Sequence, residues 1–264
     1  MGIFDYEFMR NAFAATTIVA VVSGSIGYFL VLRGETFAGH ALAHVGFPGA
    51  TGAVLIGVSP FLGLTVFTLL AGLGISLVGE RAHRDVAIGL VLTLSLGLGL
   101  LFLHFYTAYA GMATSLLFGN VLAISQQTVW VLLGMAVVTL AGLFVISRPL
   151  LFASLQPELA EARGVATGRL STIFMLIVAL ATAQAMQIVG VLLVFALMVA
   201  PAATALLLTH RFATGLAVSV GLAVGIAWAS LLLAYFTDWP TSFWITALGG
   251  LAYLLSLLRS RGRS

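Results

Sequence analysis

Thr36-Phe-Ala-Gly-His-Ala-Leu-Ala-His-Val-Gly-Phe-Pro-Gly-Ala50 is an apolar run that carries two imidazoles. His40 and His44 are four residues apart, so on a helix they lie on one face and can reach a common point. Imidazole is a common ligand for zinc and other transition metals. Ionisable groups at membrane depth are costly and turn toward a cavity or the bundle interior. Either one alone reads more simply as a neutral histidine hydrogen-bonded between packed helices. The pair at this spacing favours function, and His40 and His44 are the candidate metal ligands.

The rest of the chain supplies the membrane. Of 264 residues, 61% are hydrophobic and 7% charged, with a mean hydropathy of +1.18. A soluble surface needs about 25% charged residues. The composition predicts an all-α polytopic membrane protein, with residues 1–264 forming a single transmembrane domain. There is no cysteine, which excludes disulfides and thiolate metal sites. There is no lysine either, and the formal charge of +3 is too dispersed for nucleic-acid binding. The opening Met1-Gly-Ile-Phe-Asp-Tyr-Glu has no basic region, so a cleavable signal peptide is not expected.

Hydropathy and a crossing length of about 20 residues predict spans at 12–32, 37–57, 61–79, 86–105, 128–147, 170–187, 189–208, 213–236 and 241–258. That makes nine crossings; eight are possible if one stretch is re-entrant. The second carries Pro48 and four glycines, Gly39, Gly46, Gly49 and Gly52, and Pro48 can break its helix. With the C-terminus cytoplasmic, Arg33, Arg81, Arg84, Arg148, Arg163, Arg169, Arg211, Arg259, Arg261 and Arg263 all fall inside, and only Arg10 falls outside.

Two connections are long. Residues 106–127 read as an outer interfacial helix with an aromatic belt. Residues 148–169 form the largest cytoplasmic loop. Within it Pro157 suits a helix N1 position, Glu158 and Glu161 suit the first turn, and Gly164 suits a stop. A short helix over 157–163 is therefore expected, either as a solvated loop helix or as a docking element for a cytoplasmic partner.

Six segments, in order, carry a family resemblance. They are Arg33-Gly-Glu-Thr-Phe-Ala-Gly-His with the following His44-Val-Gly, Arg84-Asp-Val-Ala-Ile-Gly, Leu117-Phe-Gly-Asn, Pro157-Glu-Leu-Ala-Glu-Ala-Arg-Gly, Val189-Gly-Val-Leu-Leu with Pro201-Ala-Ala-Thr-Ala, and Asp238-Trp-Pro-Thr. Together they resemble the permease subunit of bacterial ABC importers for zinc, manganese and related metals, over most of the chain. The resemblance implies a type II importer-like permease in the bacterial inner membrane, working as a homodimer. It implies an extracytoplasmic metal-binding protein that delivers the ion and a separate ABC ATPase subunit that hydrolyses ATP. Membrane lipid surrounds the chain, and no cofactor is permanently bound; the metal ion is cargo. Pro157, Glu158, Leu159, Ala160 and Gly164 would form the ATPase coupling element.

The family usually has Asp where this chain has His40, so the match is full at His44 and positional at His40. Exchanging a carboxylate for imidazole removes a hard oxygen ligand, which predicts zinc over manganese. It also leaves a site that low pH would make cationic and metal-repelling.

The chain lacks Gly-x-x-x-x-Gly-Lys-(Ser/Thr), and with no lysine it cannot supply a P-loop. The expected permease is therefore non-catalytic. A zinc protease needs His-Glu-x-x-His, but position 41 is Ala. A di-iron oxidase needs several histidine clusters, whereas His83, His104 and His210 are scattered. A proton-coupled secondary metal transporter is the alternative, yet every carboxylate here lies at a span end or in a loop.

Overall fold

The computed structural model describes residues 5–79, 84–105, 119, 121–191 and 193–261. Ten α-helices occupy the described residues: α1 Glu7–Leu32, α2 Thr36–Leu55, α3 Pro60–Gly79, α4 Arg84–His104, α5 Gln126–Leu155, α6 Pro157–Ala162, α7 Thr167–Val189, α8 Val194–Leu208, α9 Phe212–Thr237 and α10 Thr241–Arg261. A 3-10 turn covers Val121–Ala123. Most of the expected outer interfacial helix, together with Arg81, His83 and most of the Leu117-Phe-Gly-Asn motif, lies outside the described residues.

Among the described residues, seven helices are long and apolar enough to cross a membrane: α1, α3, α4, α5, α7, α9 and α10. The expected nine differ at α2 and α8. Histidines and glycines dilute the hydropathy of α2, and α8 has only 15 residues. Large apolar side chains stand on the outer faces, such as Leu94 at 68% and Phe144 at 81% exposure. Lipid is the solvent that makes such a surface stable.

Cross-helix pairs give the relative directions. Thr17 meets Trp228 and Gly24 meets Ser219, so α1 and α9 are antiparallel. Gly72 lies against Met175 and Ser76 bonds Thr172 at 2.6 Å, so α3 opposes α7. Asn11 reaches Ile124 and Arg33 reaches Ser154, so α1 and α5 run the same way. Each relation is the one that an alternating up-and-down path requires.

Helices α1 and α7 form the centre, with 72% of their most apolar 18-residue windows buried, against 22% for α4. Small residues permit this. A Cβ on Gly27 would fall on the Met198 carbonyl, and Gly49 and Gly63 leave no room for side chains between α2 and α3. Other hydroxyls inside the bundle turn back to their own helix, as Ser25 donates to Val21 O at 2.7 Å and Ser230 to Ile226 O at 2.7 Å.

Three expectations about element ends need correction. Pro48 does not break α2, which runs on to Leu55; Pro48 is buried and packs by Gly99, and Thr51 Oγ1 bonds the Phe47 and Pro48 carbonyls. Helix α5 likewise passes Pro149 and ends at Leu155, because Leu150 and Ala153 are buried. The 148–169 loop therefore shrinks to the segment around α6. The seventh span begins at Val194, not at 189. Gly190 caps α7 at φ 80°, and a Cβ on Gly119 would collide with the 188–190 backbone. Phe195, in the first turn of α8, touches His40, which is only four residues into α2. Helix α8 thus starts inside the bundle, and the buried Gly190 and Val191 bring the chain down to it. Irregular backbone at this depth is tolerated where protein covers it.

Candidate functional site

Helix α2 presents His40 and His44 on one face. Their ring centroids are 4.7 Å apart with an interplanar angle of 77°. Phe195 of α8 meets His40 edge to face, at 5.2 Å and 80°. Both imidazoles are half-buried while the residues between them, Ala41, Leu42 and Ala43, are buried. The pair therefore looks out of this chain's own core on one side and is held by the start of α8 on the other. At a rise of 1.5 Å per residue the two lie about 6 and 12 Å from the start of α2, whose 20 residues run about 30 Å, so His40 sits toward the arginine-rich end and His44 close to the middle.

Two imidazoles at this separation can share one ion. Among the described residues no group of three or more His, Cys, Asp or Glu is placed to hold a metal. One chain therefore offers fewer ligands than the four of a closed zinc site. Glu35 precedes His40 by five residues, but Arg33 engages its carboxylate at 2.8 Å. His104 and His210 lie at exposed positions at or just past helix ends, away from the pair.

In the sequence Arg33 reads as a topological charge and as the head of the Arg33-Gly-Glu motif, and the structure gives it a structural role. Its guanidinium binds Glu35 Oε1 and donates to Ser154 Oγ at 3.3 Å and Ser171 Oγ at 3.2 Å. It also sits 5.4 Å from the centre of the Phe174 ring. One side chain thus ties the α1–α2 turn, directly below the histidine pair, to α5 and α7, which flank α6. Nothing in local sequence reports this, because the partners lie over a hundred residues away. Arg33→Ala should leave the buried Glu35 carboxylate without its guanidinium. It is expected to cost about 3–5 kcal/mol, read as a lower Tm of the purified protein, whereas an unchanged Tm would reduce Arg33 to a topological charge.

The short helix α6 spans Pro157–Ala162, one residue less than expected. Pro157 occupies its first turn, Arg163 caps it, and Gly164 takes a φ of 81° that suits glycine. Thr167 Oγ1 donates to Glu161 Oε1 at 2.8 Å and closes the exit. Pro157, Glu158, Leu159 and Gly164 are exposed. Leu155 at 63% and Leu159 at 44% form an apolar step among them. Ala160 departs from the expected docking set: it is 0% exposed and faces this chain's interior. So short a helix must bury something to be held in place, and Ala160 is the residue it buries, while Ala162 stays exposed.

The profile of the ABC 3 transport family matches residues 5–260. The manganese transport system membrane protein MntC of Halalkalibacterium halodurans is 36% identical over 212 residues, covering 78% of this chain and 72% of that protein. The manganese import system permease protein ScaB of Streptococcus gordonii is 30% identical over 260 residues, covering 97% and 92%. Among solved structures, PsaBC from Streptococcus pneumoniae in complex with Fab superposes with a TM-score of 0.86 at 27% identity, covering 97% of this chain and 92% of that one.

Proposed function

The chain belongs to the ABC 3 transport family, and from that premise we propose that it is the membrane-spanning permease subunit of an ATP-driven importer of a divalent transition-metal ion. The single observation that carries this reading is the histidine pair on α2, half-buried and with Phe195 against His40, in a chain similar over 97% of its length to a manganese import system permease protein. In this reading α2 and α8 complete nine traverses, α8 together with the buried Gly190 and Val191 that precede it. The positive-inside rule puts the arginine-rich end, the C-terminus and α6 in the cytoplasm of a bacterium.

In this reading an extracytoplasmic binding protein releases the ion at the opposite end. Two copies of the permease bring their histidine pairs to a shared path, so that the second copy or water completes the coordination. Weak, incomplete binding suits a site that must also let go. Two ATPase subunits dock at α6, and their nucleotide cycle opens and closes the path. The permease itself does no bond chemistry.

For the ion, two arguments point different ways. The relatives' names specify manganese and lend no support to a zinc preference. The donor set, two imidazoles with Glu35 already paired to Arg33, favours zinc. Zinc over manganese is thus a proposal resting on donor chemistry alone. The test is uptake of isotopic zinc and manganese into vesicles carrying the permease with its ATPase. ATP-dependent uptake is expected, with zinc outcompeting manganese. Uptake that follows a pH gradient and ignores ATP would instead establish the secondary-transporter alternative.

A further inference from the structure

A cavity of about 390 Å³ lies where the ends of α8 and α10 meet the turn before α9. Its wall joins Leu206, Leu207 and Leu208 to His210, Ser256, Arg259 and Ser260. The two helices run parallel: Gly249 of α10 sits against Ala200 of α8, and the cavity opens about two to three turns further along both. Arg259 and His210 are exposed at its mouth. Arg211 and Arg261 are their close neighbours in sequence, and from residue 162 to residue 264 the only carboxylate side chain is Asp238, at the opposite end of α9. The cavity thus offers cationic and hydroxyl groups with no acidic counterpart. On the membrane side of Arg259, Leu251, Leu254, Leu255 and Leu258 stand 52–66% exposed along α10.

We propose that this cavity is a binding site for an anionic phospholipid, with the phosphate held by Arg259 and His210 and an acyl chain laid along the leucines of α10. Helix α10 is a candidate membrane span, and the inference rests on that reading, not on the transported ion. The joint between an apolar helix face and an arginine terminus lies at headgroup level, where basic pockets between spanning helices take up anionic headgroups. Arginine is suited to the phosphate, since its planar fork donates two parallel bonds to two oxygens. The hydroxyls of Ser256 and Ser260 donate to Tyr253 O and Leu257 O, at 2.7 and 2.9 Å, which leaves their oxygens on the wall as acceptors. They suit a headgroup that carries hydroxyls of its own, such as phosphatidylglycerol. Leu255 lies one turn before Arg259 on the same side of α10, so the exposed leucines border the arginine, and an apolar stripe there favours a lipid over an acidic protein surface, which has no use for it.

The test is native mass spectrometry of the full-length permease, released from detergent with phosphatidylglycerol or phosphatidylcholine added. Retention of phosphatidylglycerol over phosphatidylcholine is expected. Arg259→Gln should weaken it about fivefold, as removal of one interfacial cation does, and Arg259→Lys should restore most of it. Arg259 is exposed, so its variants should fold, and an unchanged Tm checks this. Equal retention of both lipids, or full retention by Arg259→Gln, would overturn the proposal. So would displacement of the lipid by millimolar inorganic phosphate, which would mark a simple anion site. Loss of ATPase co-purification in Arg259→Gln with lipid retention unchanged would mark the surface as a protein contact and overturn it too. Metal uptake is not read in this experiment, so its failure would leave the importer reading untouched.

Discussion

Replacing His44 with alanine is expected to abolish metal uptake by the reconstituted importer while the permease still folds and still assembles with its ATPase. The imidazole is half-buried and meets His40 edge to face, so its loss costs packing of only about 1 kcal/mol, the usual scale for a single substitution. It removes one of the two ligands that a chain can offer, and a loss of more than about tenfold in uptake corresponds to just 1.4 kcal/mol of lost ion stabilisation along the path. His40→Ala should weaken uptake as well, and it also strips Phe195 of its ring contact. His40→Asp is the informative variant. It exchanges a soft nitrogen for a hard oxygen, so transport should persist with selectivity moved toward manganese. The measurement is initial uptake of each isotope at fixed ATPase content. Wild-type rates from the double alanine variant would make both histidines structural and end the assignment.

A charge at Leu159 is expected to separate the permease from its ATPase. Leu159 and Leu155 are the apolar residues that the α6 region exposes, and an apolar anchor desolvated at a docking surface is worth about 2 kcal/mol or more when lost. Leu159→Glu should therefore reduce ATPase co-purification about thirtyfold, or leave a complex that hydrolyses ATP without moving metal, with the permease's own Tm unchanged. Ala160 supplies the contrast. It is fully buried in this chain, so Ala160→Glu buries an unpaired charge and should lower the Tm of the permease alone. Normal assembly and transport by Leu159→Glu would show that α6 is a solvated loop helix and that coupling lies elsewhere.

The two variants also mark how far the linear pattern could be read. Pro157, Glu158 and Gly164 announce the start and stop of α6, and the helix forms within one residue of the expected end. Which of its residues faces out is a different matter. Leu159 and Ala160 are both apolar neighbours in sequence, and only the packing of α6 against the chain's interior separates an exposed leucine from a buried alanine. The histidine pair follows the same division. Their shared face follows from the i, i+4 spacing alone. That Phe195 closes one side of it, and that no third donor among the described residues joins them, depends on where α8 begins.

Composition and charge alone pointed to a helical membrane protein with all of its arginines but Arg10 gathered at one end. They did so because transfer of side chains into hydrocarbon is a local cost, paid residue by residue, and a span needs only its own apolar length. Tertiary structure alone decided where helices stop and what their polar residues do. Pro48 and Pro149 lie within unbroken helices because burial of their neighbours outweighs one lost hydrogen bond. Gly190 ends α7, and the chain turns inward there because Gly119, far away in sequence, fits against it. Arg33 becomes a tie among α1, α5 and α7 because Ser154 and Ser171 arrive from more than a hundred residues away. Such contacts are pairwise and non-local, and a one-dimensional pattern holds no record of them until the helices have packed.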